Sequence, residues 1–301
     1  MLEYNYKDLP TLMFGSMLDE HTLKDVITKG ELSKDTLLIV MGFGRLTKRR
    51  MNVTSFTRGL SELNDTLKNI NSTVLYFRGV SDDAELFNTN AIDMSNIKTL
   101  QDYTLIQTSF GKCLGIGGRI SYDRSWRKKQ TMELGRELWQ EGEGFLFDED
   151  KLKSILHEHS IDVFFTDVLP SFVNFYQNEA TDGWFLNDET LSSDMIKEKQ
   201  WLDKVYLYLT SSNESKPKKW FGTLLEHDYQ TPTVQIINNI SFELIHQEKL
   251  LFCHDSDNEE IMFGHSFRKR RRDVIDGERF VGAPIIEENA PQVGLLEEGE
   301  F

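Results

Sequence analysis

Apolar and polar positions alternate between two rhythms along this chain. Short continuous apolar runs end at glycine or a polar turn, and between them lie longer stretches with a helical period. Leu12-Met13-Phe14 predicts a strand ending at Gly15-Ser16, and Thr36–Met41 (TLLIVM) a strand buried on both faces, stopping at Gly42-Phe43-Gly44. Thr73–Phe77 predicts another, stopping at Arg78-Gly79, and residues 162–166 a further one ending at Asp167. Thr104–Thr108 and Lys112–Gly117 read as an antiparallel pair around Phe110-Gly111, and Thr233–Ile237 with Ser241–Ile245 as a hairpin across Asn238-Asn239. Lys218–Gly222 adds a strand that again stops at a glycine.

Helices are predicted at His21–Thr28, Phe56–Asn69, Leu152–His159 and Met195–Leu209; in the second, Phe56, Leu60, Leu63 and Leu67 share one face. Strands that read as unbroken apolar runs and alternate with amphipathic helices predict an α/β fold.

Bulk properties narrow the picture. At 301 residues the chain can bury a large core. A net charge of -15 disfavours nonspecific contact with nucleic acid or anionic membrane. Cys113 and Cys253 are too few for a disulfide framework, which suits a reducing compartment. The first residues, MLEYNYKDLP, lack the basic-then-apolar pattern of a secretory signal. No apolar run reaches the roughly 18–20 residues of a transmembrane helix. The expectation is a protein of the cytoplasm or of a virion, with no membrane contact. Beyond about residue 250 the character changes to HDSDNEE, then RKRRR, then an acidic end punctuated by proline and glycine. Residues 1–250 are therefore read as one domain and 251–301 as an extension that docks onto partners.

The most distinctive stretch is Gly111–Arg127, GKCLGIGGRISYDRSWR. A buried strand stops at Gly117-Gly118 and hands over to a polar segment with Tyr122, Asp123, Trp126 and Arg127. Glycine there allows a second backbone or a ligand to approach closely. Gly115, Gly117 and Gly118 do not make a dinucleotide loop: the third glycine of G-x-G-x-x-G is missing, and residues 120–122 continue as strand or loop.

Together with its surroundings the stretch resembles one branch of the calcineurin-like metallophosphoesterases. That family binds two metal ions with Asp, His and Asn placed just past successive strands, and the pair of metals activates a water. The family's first motif, Asp-x-His, falls on Ser16 and Leu18. Its Gly-Asp motif falls on Met41 and Gly42, followed by Phe43 and Gly44. Its Gly-Asn-His motif matches Gly79 but meets Val80 and Ser81. The fourth motif, Thr-His-x-x-Pro, matches Thr166 and Pro170 with Asp167 in the His position. The fifth, Gly-His-x-His, follows Trp220 and Phe221 and matches Gly222, with Thr223 and Leu225 in the ligand positions. The resemblance covers about residues 8–250 and includes DGWFLNDETLSSDMIKEKQWLD. It implies a four-layer α/β/β/α sandwich of two mixed sheets.

At the degenerate positions the chemistry is severe. Leu18, Val80 and Leu225 have no donor atom, Gly42 has no side chain, and Ser16 and Ser81 are poor neutral ligands. Asp167 alone has a carboxylate. The expectation is a pseudoenzyme with no metal and no cofactor, serving as a structural or protein-binding module. Its partners would be proteins, as a homo-oligomer or a larger assembly such as a viral or phage particle.

Rival sites have plain counterparts. Asp19, Glu20 and His21, Asp82 and Asp83, and Glu226-His227-Asp228 cluster after motif positions and could be relocated ligands, but Asp19-Glu20 also suits a helix start. The competing classes are a phosphoesterase with a rebuilt site and a module that binds a nucleotide without cleaving it. Tyr122, Asp123, Trp126 and Arg127 resemble the family's substrate-side loop; packing and pairing without a ligand is the preferred reading. The basic cluster Arg268, Lys269, Arg270, Arg271 and Arg272 could touch phosphates or equally pair with acidic groups, including those on a partner; nucleic acid is not an expected partner except through this cluster. His157 and His159, two apart on a helix, are read as surface residues.

Overall fold

The computed structural model describes residues 2–135, 138–139, 142–173, 185, 187–211, 216–224, 234–246 and 250–253. Leu225, the segment Glu226-His227-Asp228 and the cluster from Arg268 to Arg272 lie outside the described residues.

In chain order the strands are β1 (Glu3–Asn5), β2 (Thr11–Ser16), β3 (Thr36–Met41), β4 (Thr73–Phe77), β5 (Ile97–Thr99), β6 (Thr104–Thr108), β7 (Gly111–Ile116), β8 (Val163–Thr166), β9 (Lys219–Leu224), β10 (Val234–Ile237), β11 (Ile240–His246) and β12 (Leu250–Cys253). The helices are α1 (Glu20–Thr28), α2 (Lys48–Met51), α3 (Thr54–Asn69), α4 (Ala84–Asn88), α5 (Arg124–Leu134), α6 (Glu149–Glu158) and α7 (Leu191–Thr210). The strands form two mixed sheets, ordered β12-β2-β3-β4-β5 and β1-β6-β7-β8-β9-β11-β10. In the first sheet β2 to β5 are parallel and β12 is antiparallel to β2. In the second, β7, β8, β9 and β11 are parallel, with antiparallel partners β6 and β10.

Side-chain alternation explains the unbroken apolar runs. In β3, Leu38 and Val40 face α1 and α3, where Leu23, Val26, Leu60, Leu63 and Leu67 meet them. Leu37, Ile39 and Met41 face the other sheet instead, alongside Cys113, Val163 and Phe165. Both faces are therefore dry, and from Leu37 to Met41 every residue is apolar. Phe14 sits in this inter-sheet layer, its ring centroid 4.2 Å from that of Phe221 and 5.1 Å from that of Phe165. A third apolar layer joins the outer face of the larger sheet to α6 and α7, through Phe164, Trp220, Leu152, Leu202 and Val205. Three dry layers between helices and sheets make an α/β sandwich of two mixed sheets.

The predicted strands and helices appear near their expected bounds, including the hairpin across Asn238 and Asn239, both with positive φ. One expectation is corrected. The segment after Gly118 is a loop only as far as Asp123, and then forms α5. Its polar sequence hid it, because the helix has one buried residue, Arg127.

The glycine-rich turn after β7 is filled by protein. A Cβ on Gly115 would lie 2.2 Å from the ring of Phe77, one on Gly117 2.1 Å from the carbonyl oxygen of Arg78, and one on Gly118 2.3 Å from the Arg78 guanidinium. Gly117→Ala is therefore expected to lower stability by about 3 kcal/mol through a backbone clash. Gly59→Ala, on open helix surface with nothing within 4 Å, should instead gain up to about 1 kcal/mol. Urea midpoints of the two variants check this, and equal midpoints would refute the packing account.

Candidate functional site at the strand ends

In an α/β sandwich the carboxyl ends of parallel strands converge on one edge, and ligands bind there. Ser16, Met41 and Phe77 are aligned across β2, β3 and β4, so the loops after these strands start side by side. Met17 donates its N–H to Met41 O at 2.8 Å, and Gly42 to Phe77 O at 2.9 Å. Met17, Gly42 and Ser81 all turn with positive φ. Gly42 and Gly79 meet backbone to backbone: a Cβ on Gly79 would lie 2.5 Å from Gly42 Cα.

The second sheet reaches the same edge. Asp167, just past β8, accepts the Val80 N–H on Oδ2 at 3.2 Å and the Thr223 hydroxyl on Oδ1. Ser81 Oγ accepts from Arg127 Nη1 at 2.5 Å. The positions Val80, Ser81, Asp167 and Thr223, far apart in sequence, are thus joined. Ser16 and Leu18 are fully buried after β2, and Ser16 Oγ meets no acceptor or donor.

This donor set does not fit a pair of metal ions. Its one carboxylate, Asp167, is already engaged by Val80 and Thr223, and Gly42, Leu18 and Val80 bring no ligand atom. Among the described residues no group of three or more His, Cys, Asp or Glu side chains is placed to hold a metal.

The rival acids have structural roles. Asp19 caps α1, accepting from Thr22 N at 2.9 Å, and Asp83 caps α4, accepting from Glu85 N at 2.9 Å. Glu20 pairs with Arg50 at 2.5 Å, and His21 is exposed. Asp82 is buried, and its Oδ2 accepts from Phe43 N at 2.8 Å and Gly79 N at 3.0 Å while Oδ1 accepts from Leu46 N at 2.8 Å. This one carboxylate ties the loop after β3 to the loop after β4.

In the polar segment after β7, Arg127 is buried and bonded inside the protein. It donates to Asp123 at 2.9 Å and Glu143 at 2.9 Å, and also to Ser121 Oγ. Tyr122 packs edge-on against Phe185 with ring centroids 6.2 Å apart, whereas Trp126 is 45% exposed. His157 is exposed, but His159 is half-buried with Nδ1 3.0 Å from Lys112 Nζ.

Two further buried ionic residues around this edge, Arg78 and Glu198, are absent from the sequence candidates. Arg78 donates to the carbonyls of Gly142, Glu143, Gly117 and Gly144 and to Asp102 at 2.9 Å. Glu198 stands in the apolar stripe of α7 with Leu191, Leu202, Val205 and Leu209. Its Oε1 accepts from Ile120 N at 3.0 Å and Phe145 N at 2.8 Å. A glutamate on that stripe was the available signal. Burial pushes Glu198 up to about 7 and Asp82 up to about 6, against the pull of their N–H donors.

Compared with models of protein families, with curated proteins and with solved structures, the chain matches none.

The two buried acids respond differently to amidation. A carboxyl group with a raised folded pKa stabilises the fold fully below its unfolded pKa, and that stability is lost as pH rises through the folded value. For Glu198 the window runs from the ordinary 4.5 to about 7. Glu198→Gln keeps the single accepting oxygen and removes the titration. Its melting temperature relative to wild type should therefore climb between pH 5 and pH 8; a flat difference would refute the assignment. Asp82 uses both oxygens as acceptors, so Asp82→Asn turns an NH2 toward an N–H in either orientation. A loss of about 2–3 kcal/mol is expected at pH 8, measured by urea unfolding.

Proposed function

We propose that the chain is a metallophosphoesterase-like pseudoenzyme that serves as a structural or protein-binding module. The observation that carries this reading is the junction of Val80, Ser81, Asp167 and Thr223 at one strand edge. The resemblance aligns the family's metal-binding and catalytic positions with these residues and with Ser16, Leu18 and Gly42. The four-layer sandwich of that family agrees with the two mixed sheets and three dry layers. Retained scaffold residues have packing work in this chain: Trp220 Nε1 donates to Thr166 Oγ1 at 2.8 Å, and Phe43 packs against Tyr76 with ring centroids 4.9 Å apart.

Without a bridging Asp and paired imidazoles, no metal-bound hydroxide forms at this edge, and hydrolysis loses its nucleophile. The binding duty then falls to surfaces. The boundary expected at residue 250 moves, because Leu251–Cys253 pair with β2 in the smaller sheet; we assign the partner-docking role to the extension beyond residue 253, whose Arg268–Arg272 cluster stands out in an acidic chain. A larger assembly, such as a viral or phage particle, is the setting proposed.

The test is metal content after exposure to excess Mn²⁺ or Zn²⁺, with a phosphodiesterase assay alongside. Metal well below one equivalent and no turnover are expected. Near-stoichiometric metal with turnover abolished by Asp167→Ala would replace this reading with the rebuilt enzyme.

A further inference from the structure

A groove runs between α1 and α3, on the outer face of the smaller sheet, and encloses about 670 Å³. Ile27, Val53, Phe56 and Leu63 line it with apolar surface, while Lys24 lines it from α1 and Arg58 from α3. Val53 leaves 45% of its surface uncovered. Two of the charged residues in the lining, Arg50 and Glu20, pair with each other at 2.5 Å. Lys24 is exposed, and among the described residues no carboxylate pairs with it. Arg58 reaches Glu62 at 4.0 Å, with both side chains mostly exposed. An exposed pair at that distance contributes little, so both cations can take another partner.

The path of the chain supplies a candidate. Cys253, the last residue of β12, pairs with Leu12, Leu12 with Leu37 and Leu37 with Thr73. Cys253 thus lies in one row with the starts of β3 and β4, on the edge to which α1 and α3 return the chain. The groove opens on that edge at Thr28 and Thr66. Two strand spacings and one layer separate its mouth from Cys253, about 15 Å, which about five extended residues span. The residues that follow Cys253 lie outside the described residues and read HDSDNEEIMF. Asp255, Asp257, Glu259 and Glu260 are four carboxylates with no lysine or arginine among them, and Ile261, Met262 and Phe263 come next. Acid before apolar is the order in which a chain entering from this mouth meets the groove. Lys24 and Arg58 come first, and Val53, which precedes α3, stands at the far end.

We propose that residues 255–263 of this chain dock into the groove between α1 and α3. Glu259 and Glu260 pair with Lys24 and Arg58, and Ile261, Met262 and Phe263 cover Val53. Charge sets the register of the segment, and apolar contact holds it. Because the segment is tethered a few residues away, its effective concentration at the groove is high, and modest contacts suffice. The start of the extension is then held on the domain, and residues 268–272 keep the partner role given above. The inference rests on the groove and not on the pseudoenzyme reading; metal content and phosphodiesterase activity leave it untouched.

The test is disulfide trapping in the full chain, with oxidised glutathione as oxidant. Met262→Cys is combined either with Ser55→Cys, in the groove lining, or with Ser61→Cys, exposed on another face of α3. The native Cys113 and Cys253 are buried and common to both variants. An intrachain disulfide is expected to form several-fold faster with Ser55→Cys than with Ser61→Cys. Lys24→Glu with Arg58→Glu should erase that preference, and adding Glu259→Lys with Glu260→Lys should restore it. Should Ser55→Cys not fold, Gly59→Cys in the same lining takes its place. Equal rates at the two positions describe a segment that meets the surface at random, and they would overturn the proposal. So would a preference that survives the charge reversal, or a disulfide between two copies, which would give the groove to a second molecule.

Discussion

The buried guanidinium of Arg78 is the constraint on which the strand edge depends. It lies at the end of β4, in the smaller sheet, yet its acceptors belong to the far side of the sandwich: Asp102, Gly117 and the carbonyls of residues 142–144. Its own carbonyl accepts from Gly118 N at 2.8 Å, and Asp102 also takes the Gly117 N–H at 2.8 Å. A cation this deep is tolerated only when its hydrogen bonds are met. The backbone of three separate segments must therefore be in place before Arg78 can be. Apolar packing between the sheets is nondirectional and would allow them to slide. The arginine fixes their registration.

The same segments serve a second cation. Glu143 gives its carbonyl to Arg78 and its carboxylate to Arg127 and Ser121, while Arg127 reaches Ser81 beyond β4. Asp82 closes the other side by gathering three N–H groups from the loops after β3 and β4. Charge at this edge is thus supplied by the chain itself, each group matched to backbone or to an opposite charge. Among the described residues, the exceptions here include the Nε–Nη2 edge of Arg119, unpaired but charged, and the Ser16 and Tyr76 hydroxyls, unpaired and neutral. An unpaired hydroxyl is a modest cost, whereas an unpaired guanidinium edge is a large one.

Much of the frame was legible in the sequence, because apolar periodicity follows directly from burial. Thr36–Met41 reads as a strand buried on both faces since dry layers lie on either side of it. The amphipathic face of α3 is Phe56, Leu60, Leu63 and Leu67, as its spacing implies. Helix α5 was missed because it buries a charge where the pattern expects an apolar face. The strands β1, β5 and β12, three to four residues each, carry too few alternations to stand out. At the candidate site, the motif positions could be aligned from sequence, but the partners of Asp82 and Arg78 could not. Their hydrogen bonds go to backbone N–H and carbonyl groups, which every residue has, so residue identity does not mark the acceptor or donor.

The glycines at the strand ends bear on what such a frame can reveal. Gly79 is held by the backbone of Gly42, Gly117 by the carbonyl of Arg78, and Gly222 by Leu169, each too close for a side chain. None of these contacts involves a catalytic group. The glycines are therefore required by the geometry of the edge whatever chemistry the edge performs, and they would stay if every ligand were lost. A glycine pattern at successive strand ends is evidence of how the loops turn; the residues between the glycines decide whether anything reacts there. In this chain those residues are apolar, neutral or already engaged with one another.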